Sequence, residues 1–143
     1  MKKISCLFLS VMLMMMSAVT FVSCSDASKV DAYVELINER LPKELQDDVV
    51  FGGAKKEGKN IVIGMAFNQD FTSLGIDKNN MEAEAEKSGI NAKTIVTASS
   101  GVEGELLKAV VNEGYSIVYR YKDASGATAD VVIPNADLKA EFK

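Results

Sequence analysis

The stretch YSIVYRYK at residues 115–122 alternates in character, with three tyrosines and Ile117 on one side of the pattern. The turn sequence DASG at 123–126 and the stretch TADVVI at 128–133 follow it. Strict alternation is typical of a β-strand, and a glycine in a short polar segment supplies the positive φ of a hairpin turn. These residues therefore predict a β-hairpin, and residues 49–68, with KKEGK at their centre, predict a second one.

Helical patterns precede each of the two hairpins. Apolar residues recur at spacings of three and four along 29–41 and along 102–112, which predicts two amphipathic helices. Shorter helices are predicted at 81–87, at 91–97 and after Pro134. This order of elements predicts an α+β fold: a two-layer sandwich with a four-stranded antiparallel sheet and helices mainly on one face.

The two halves of the chain resemble each other. Each has a helix before a hairpin, and each hairpin exits through Asn-x-Asp and an apolar residue, at 68–71 and at 135–138. The offset between these exits is 67 residues. The similarity leaves open a duplication of the helix–hairpin unit.

The first residues of the chain read as a targeting signal. Lys2 and Lys3 precede an uncharged run at 4–22, and small residues follow it, as in a secretory signal peptide. Phe21-Val22-Ser23-Cys24 resembles the lipobox of bacterial lipoproteins, in a form familiar among Bacteroidetes. The resemblance implies that Cys24 is acylated and becomes the new N-terminus. A soluble secreted protein and an uncleaved anchor remain as alternatives.

The predicted organisation follows from this signal. Residues 1–23 are the signal peptide, 24–28 a lipidated tether and 29–143 a single α+β domain. Removing the first 23 of 143 residues leaves 120, an ordinary size for one domain. The resemblance to sorted lipoproteins, with Ser25 after the cysteine, favours the outer membrane over the inner one and leaves surface exposure open.

The net charge of the chain limits the classes of molecule that we expect it to bind. Without Lys2 and Lys3 the chain has 14 basic and 20 acidic residues, a net charge of −6. Nucleic acids favour basic patches, so we expect no nucleic-acid partner. The expected partners are the membrane, through the lipid on Cys24, and an envelope protein, a peptide or a glycan.

Composition also limits the chemistry. The chain has no histidine, and histidine is the commonest general base and metal ligand. We expect no catalytic residues, no metal and no cofactor, and therefore a non-enzymatic binding protein. The alternative is a small hydrolase that uses a pair of carboxylates near Asp70 and Asp77, because paired carboxylates can exchange protons without histidine.

The candidate binding face is the tyrosine row Tyr115, Tyr119 and Tyr121. Aromatic rows on a strand can recognise a sugar, a peptide or a partner strand. The alternative is that this row packs under the helices.

Other motifs have plainer interpretations. The Gly52-Gly53 pair indicates an irregularity in its strand. On the next strand, Val62, Gly64 and Ala66 share a face that is small but not polar, so part of that face is expected to be covered. Near the start of the helix at 102–112, Ser99 or Ser100 is expected to act as N-cap, with Glu103 completing a capping box.

Overall fold

The computed structural model describes residues 26–41, 44–46 and 49–142. The predicted signal peptide and Cys24 lie outside these residues, and the first helix begins within the predicted tether. The elements in chain order are α1 (Asp26–Arg40), β1 (Glu44–Gln46), β2 (Val49–Glu57), β3 (Asn60–Phe67), a 3₁₀ turn (Lys78–Asn80), α2 (Met81–Lys87), α3 (Ala92–Ala98), α4 (Gly101–Asn112), β4 (Ser116–Lys122), β5 (Thr128–Ile133) and α5 (Asn135–Glu141).

The strands form one sheet in the order β1-β2-β3-β4-β5. Because β1 has three residues, four longer strands make up most of the sheet, and the predicted α+β sandwich is confirmed. One pair differs from the antiparallel prediction: β3 and β4 are parallel, with Ile61 opposite Ile117 and Met65 opposite Tyr121. The segment between them contains α2, α3 and α4, a crossover long enough to return the chain to the end of the sheet at which β3 began.

The parallel pairing of β3 with β4 determines how the two similar halves of the chain are oriented relative to each other. The strands run β2, β3, β4, β5 across the sheet, and β4 runs opposite to β2 because it is parallel to β3. Superposing the first hairpin on the second in chain order would therefore need a half-turn that exchanges the two faces of the sheet. That half-turn would place α1 and α4, the helices before the two hairpins, on opposite faces. In the structure these two helices instead pack against each other.

One face of the sheet forms the core. On β3 this face carries Ile61, Ile63, Met65 and Phe67, which join the buried residues of the helices in one cluster. Val62 and Val118 are also buried, but they lie outside that cluster, on the opposite face. Within the described residues the helices therefore cover one face, and none of them lies on the other, which we call the open face.

A buried ion pair joins α1 to α4. Arg40 donates from Nη1 to Oε1 of Glu103 at 2.9 Å, and the two side chains are 11% and 6% exposed. Burial raises the pKa of Glu103, and the neighbouring Arg40 opposes that rise. The expected capping box is not formed: Ser100 is the N-cap without a side-chain bond to the helix, and Glu103 binds Arg40 instead.

Asn38 of α1 covers the outer edge of β2. Its side-chain Nδ2 donates to the carbonyl oxygen of Ala54 at 2.9 Å, and its Oδ1 accepts from the Ala54 amide at 2.8 Å. The Asn38 amide thus takes the place of a neighbouring strand at this position. Exposed strand edges recruit other chains, so this contact both stabilises and protects the sheet.

Replacing Asn38 with alanine is expected to lower the free energy of unfolding by about 1–3 kcal/mol, because the Ala54 amide and carbonyl lose their partner. Urea unfolding measures the change. Asn112→Ala, at an exposed position on α4, is the control and should stay within about 0.5 kcal/mol of the parent. Equal stability of the two variants would contradict a role for Asn38 at the edge.

Candidate functional site

The structure places the tyrosine row on the covered face. Tyr119 and Tyr121 are 0% and 2% exposed and belong to the core, where the Tyr121 ring stacks on Phe67 at 5.9 Å between ring centroids. Tyr115 is partly buried, with Nζ of Lys59 over its ring at 4.7 Å. The three tyrosines therefore do not form an exposed row. They pack against the core under the helices, which is the alternative that the sequence left open.

Two hydroxyls under the helices are closed off from solvent. Burial raises the pKa values of Tyr33 and Tyr119 far above the usual range, which keeps both hydroxyls protonated. Among the described residues neither hydroxyl has a hydrogen-bond partner. These groups are inaccessible to a partner at the surface.

The open face carries a groove of about 460 Å³, within the usual range of ligand sites. Its lining residues come from all four long strands: Gly52, Gly53, Ala54, Lys55, Val62, Gly64, Met65, Ala66, Arg120, Lys122 and Thr128. We call this feature the open-face groove.

Glycines make the floor of the groove. Gly64 alternates with the core residues Ile63 and Met65, so a side chain at this position would project onto the open face. A Cβ atom on Gly64 would lie 3.4 Å from the carbonyl oxygen of Gly53 and 3.6 and 3.7 Å from the backbone of Gly52, which are ordinary van der Waals contacts. The groove thus exists because two facing positions lack side chains.

A bulge in β2 adds to the groove. The register between β2 and β3 shifts between Phe51 and Gly53, and Gly53 has a φ of 99°, which residues with a side chain rarely adopt. This is the irregularity that the Gly52-Gly53 pair predicts. It brings both glycines into the lining of the groove.

Arg120 forms one wall. Its Nε and Nη2 donate to the two carboxylate oxygens of Asp130 at 3.0 and 3.1 Å, and its Nη1 donates to Glu57 at 3.2 Å. These carboxylates raise the pKa of Arg120, which stays charged. Because β3 lies between the strands that carry Arg120 and Glu57, the Arg120 side chain crosses over β3 on the open face.

The carboxylates proposed for acid/base chemistry lie elsewhere. Asp70, Asp77 and Asp123 line a second depression, of about 440 Å³. Asp123 is buried and accepts hydrogen bonds from the amides of Phe71, Ser125 and Ala127 and from the Ser125 hydroxyl.

The hydrogen bonds to Asp123, first of all that from the Phe71 amide, lower its pKa. A lowered pKa in the folded state contributes stability above the unfolded pKa, and this stability is lost as the pH falls through the folded value. Asp123 therefore holds the hairpin turn to the loop at Phe71 as a carboxylate, and it does not act as a proton donor at neutral pH.

The described residues contain neither a candidate metal cluster nor a candidate membrane-spanning helix. No three histidine, cysteine, aspartate or glutamate side chains of residues 26–41, 44–46 and 49–142 are grouped so that they could hold a metal ion. Across the same residues, no helix combines the length and the hydropathy needed to cross a membrane.

The sequence patterns pointed to the groove only in part. The Gly52-Gly53 pair predicts an irregular strand, and the small face of Val62, Gly64 and Ala66 predicts partial cover, but neither pattern predicts a groove. Arg120 and Lys122 could not be assigned to the site, because their alternation shows which side chains share a face and not which face the helices cover.

Comparison with known proteins shows the fold. No family model matches the chain, and no curated protein matches it. The crystal structure of a "putative secreted protein" from Pseudomonas aeruginosa resembles it with a TM-score of 0.51 and 12% sequence identity, over 82% of this chain and 99% of that chain. The likeness shows that the two chains share a fold.

Proposed function

We propose that this chain is a lipid-anchored, non-enzymatic binding protein of the cell envelope and that the open-face groove is its binding site. The observation that carries the proposal is the groove itself. Within the described residues no helix covers this face of the sheet, which has a floor of glycine backbone and three basic side chains in its lining and lies opposite the face that the core uses.

The location has separate support. Phe21-Val22-Ser23-Cys24 after an apolar run supports export and acylation of Cys24, and Ser25 after the cysteine supports the outer membrane. The protein of similar fold is described as a "putative secreted protein", which supports an extracytoplasmic location for this chain. Acyl chains would hold the domain at the membrane without a spanning helix.

The charged groups beside the groove support binding rather than catalysis. Asp130 and Glu57 are both engaged by Arg120, so neither carboxylate is free to act as a general base. Arg120 is held by two carboxylates and stays charged, so it can contact a ligand without exchanging protons with it.

A photo-reactive residue in the groove tests the proposal in living cells of the host. Thr128 is exposed and lines the groove, whereas Glu105 is exposed on α4, outside the groove. We expect a discrete crosslinked species from position 128 and none from position 105. Crosslinks of the same pattern from both positions would contradict a specific site on the open face.

A further inference from the structure

We propose that the open-face groove binds an extended acidic peptide segment of about four residues, with one carboxylate held by Lys122. The inference rests on the proposed function, because it names the ligand of the same groove. Its support comes from the charge of the lining, the geometry of the floor and the width of the sheet.

The charge at the groove favours an anion. Lys55, Arg120 and Lys122 line it, and none of the lining residues is acidic. Glu57 contacts Lys55 at 3.5 Å and also Arg120, and Asp130 contacts Arg120. The three cations therefore exceed the adjacent carboxylates by one.

Lys122 is that excess charge. It is exposed, and its ammonium makes no ion pair within the described residues. A carboxylate is a ligand group that an unpaired ammonium at a groove binds through a charge-assisted hydrogen bond. A second copy of the chain is disfavoured as the occupant of a face-to-face pair, because two grooves with the same excess charge would repel each other.

The path across the sheet fits a short extended chain. Val50, Ala66, Lys122 and Thr128 are register partners on β2, β3, β4 and β5. Three interstrand spacings amount to about 14 Å, which is the length of about four residues of extended chain. The glycine floor at Gly52 and Gly64 is the next row on the same face, two residues along β3 from Ala66, and it leaves space beside this path for the backbone of such a segment.

One end of this path favours a peptide over a small anion. Val50 is 44% exposed, one of the two large apolar side chains that are prominent at the surface of the described residues. It lies outside the groove lining and next to Ala66 in the register. A ligand that spans the row covers Val50 as well as Lys122, whereas a small carboxylate reaches Lys122 alone.

NMR titration of the ¹⁵N-labelled full protein in detergent micelles tests the inference. The probes are acetyl-AEAA-amide, its glutamine counterpart acetyl-AQAA-amide, and sodium acetate. We expect the glutamate peptide to shift the amides of Gly52, Gly64 and Lys122 and to bind roughly tenfold more tightly than the glutamine peptide. Lys122→Gln should remove that preference, and Lys93→Gln, an equal loss of charge on α3, should keep it.

Four results would overturn the inference. Equal affinity for the two peptides would show that the groove does not recognise the carboxylate. Equal effects of acetate and the glutamate peptide would show a site for small anions. Concentration-dependent shifts of the same amides without peptide would make a second copy the occupant. No shift with any probe would exclude a peptide of this kind. In each case the proposed function is judged separately, by the crosslinks from position 128.

Discussion

Replacing Arg40 with methionine is expected to lower the free energy of unfolding by about 3–5 kcal/mol at neutral pH, because Glu103 is left as an unpaired buried charge. Glu103 is 6% exposed and receives its hydrogen bond from Arg40 across the contact of α1 with α4. Urea unfolding measures the change. Lys87→Met is the control, since it breaks the exposed 3.5 Å pair with Glu84 and should cost less than about 1 kcal/mol.

The effect of Arg40→Met should depend on pH. Burial already raises the pKa of Glu103, and Arg40 opposes that rise, so its removal raises the pKa further. A raised carboxyl pKa means that the folded state binds the proton more tightly than the unfolded state. The stability of the variant should therefore fall as the pH rises from 5 to 7. An equal loss of stability at pH 5 and at pH 7 would contradict a charged, buried Glu103.

A second substitution separates burial of charge from loss of packing. Arg40→Met combined with Glu103→Leu removes both charges and keeps apolar volume, so most of the lost stability should return. If the double variant were as unstable as Arg40→Met alone, the packing of the Arg40 side chain and not its charge would be responsible.

Replacing Cys24 with alanine is expected to abolish acylation, so that the protein is recovered either as a soluble chain or as an unacylated precursor that keeps its signal peptide. Each buried methylene of an acyl chain contributes about 0.8 kcal/mol of membrane affinity, and two or more chains hold a protein stably. Intact mass of the parent from detergent-extracted membranes should equal residues 24–143 plus acyl chains.

The other cysteine provides the control for that experiment. Cys6 lies in the predicted signal peptide, so Cys6→Ala should leave both the mass and the membrane fraction unchanged. An unmodified chain that starts after Ser25 would contradict the lipid anchor and would support the soluble secreted alternative.

Local patterns were sufficient to predict most of the helices and strands. The alternation at 115–122 and the turn before 128–133 correspond to β4 and β5, and the apolar spacing at 102–112 corresponds to α4. Period and turn chemistry are properties of neighbouring residues. The strand β1 is not predicted, because its three residues are too few to show the alternation of a β-strand.

Relations between distant residues could not be read from those patterns. The parallel pairing of β3 with β4 depends on how three helices pack in the crossover between them. The partner of Glu103 is 63 residues away, at Arg40, whereas the sequence suggested a local cap. The sequence does not decide which face of the sheet carries Tyr119 either, because alternation separates two faces without showing which one the helices cover.

The most direct test of the open-face groove is to fill it. Gly64→Leu places a side chain on the floor, where a Cβ atom meets only ordinary contacts, so the fold should be kept. Crosslinking from position 128 in the host should then be lost, while Ala140→Leu, an equal enlargement on the exposed face of α5, should leave it unchanged. Undiminished crosslinking in a folded Gly64→Leu protein would show that the partner binds elsewhere and would contradict the groove as the binding site.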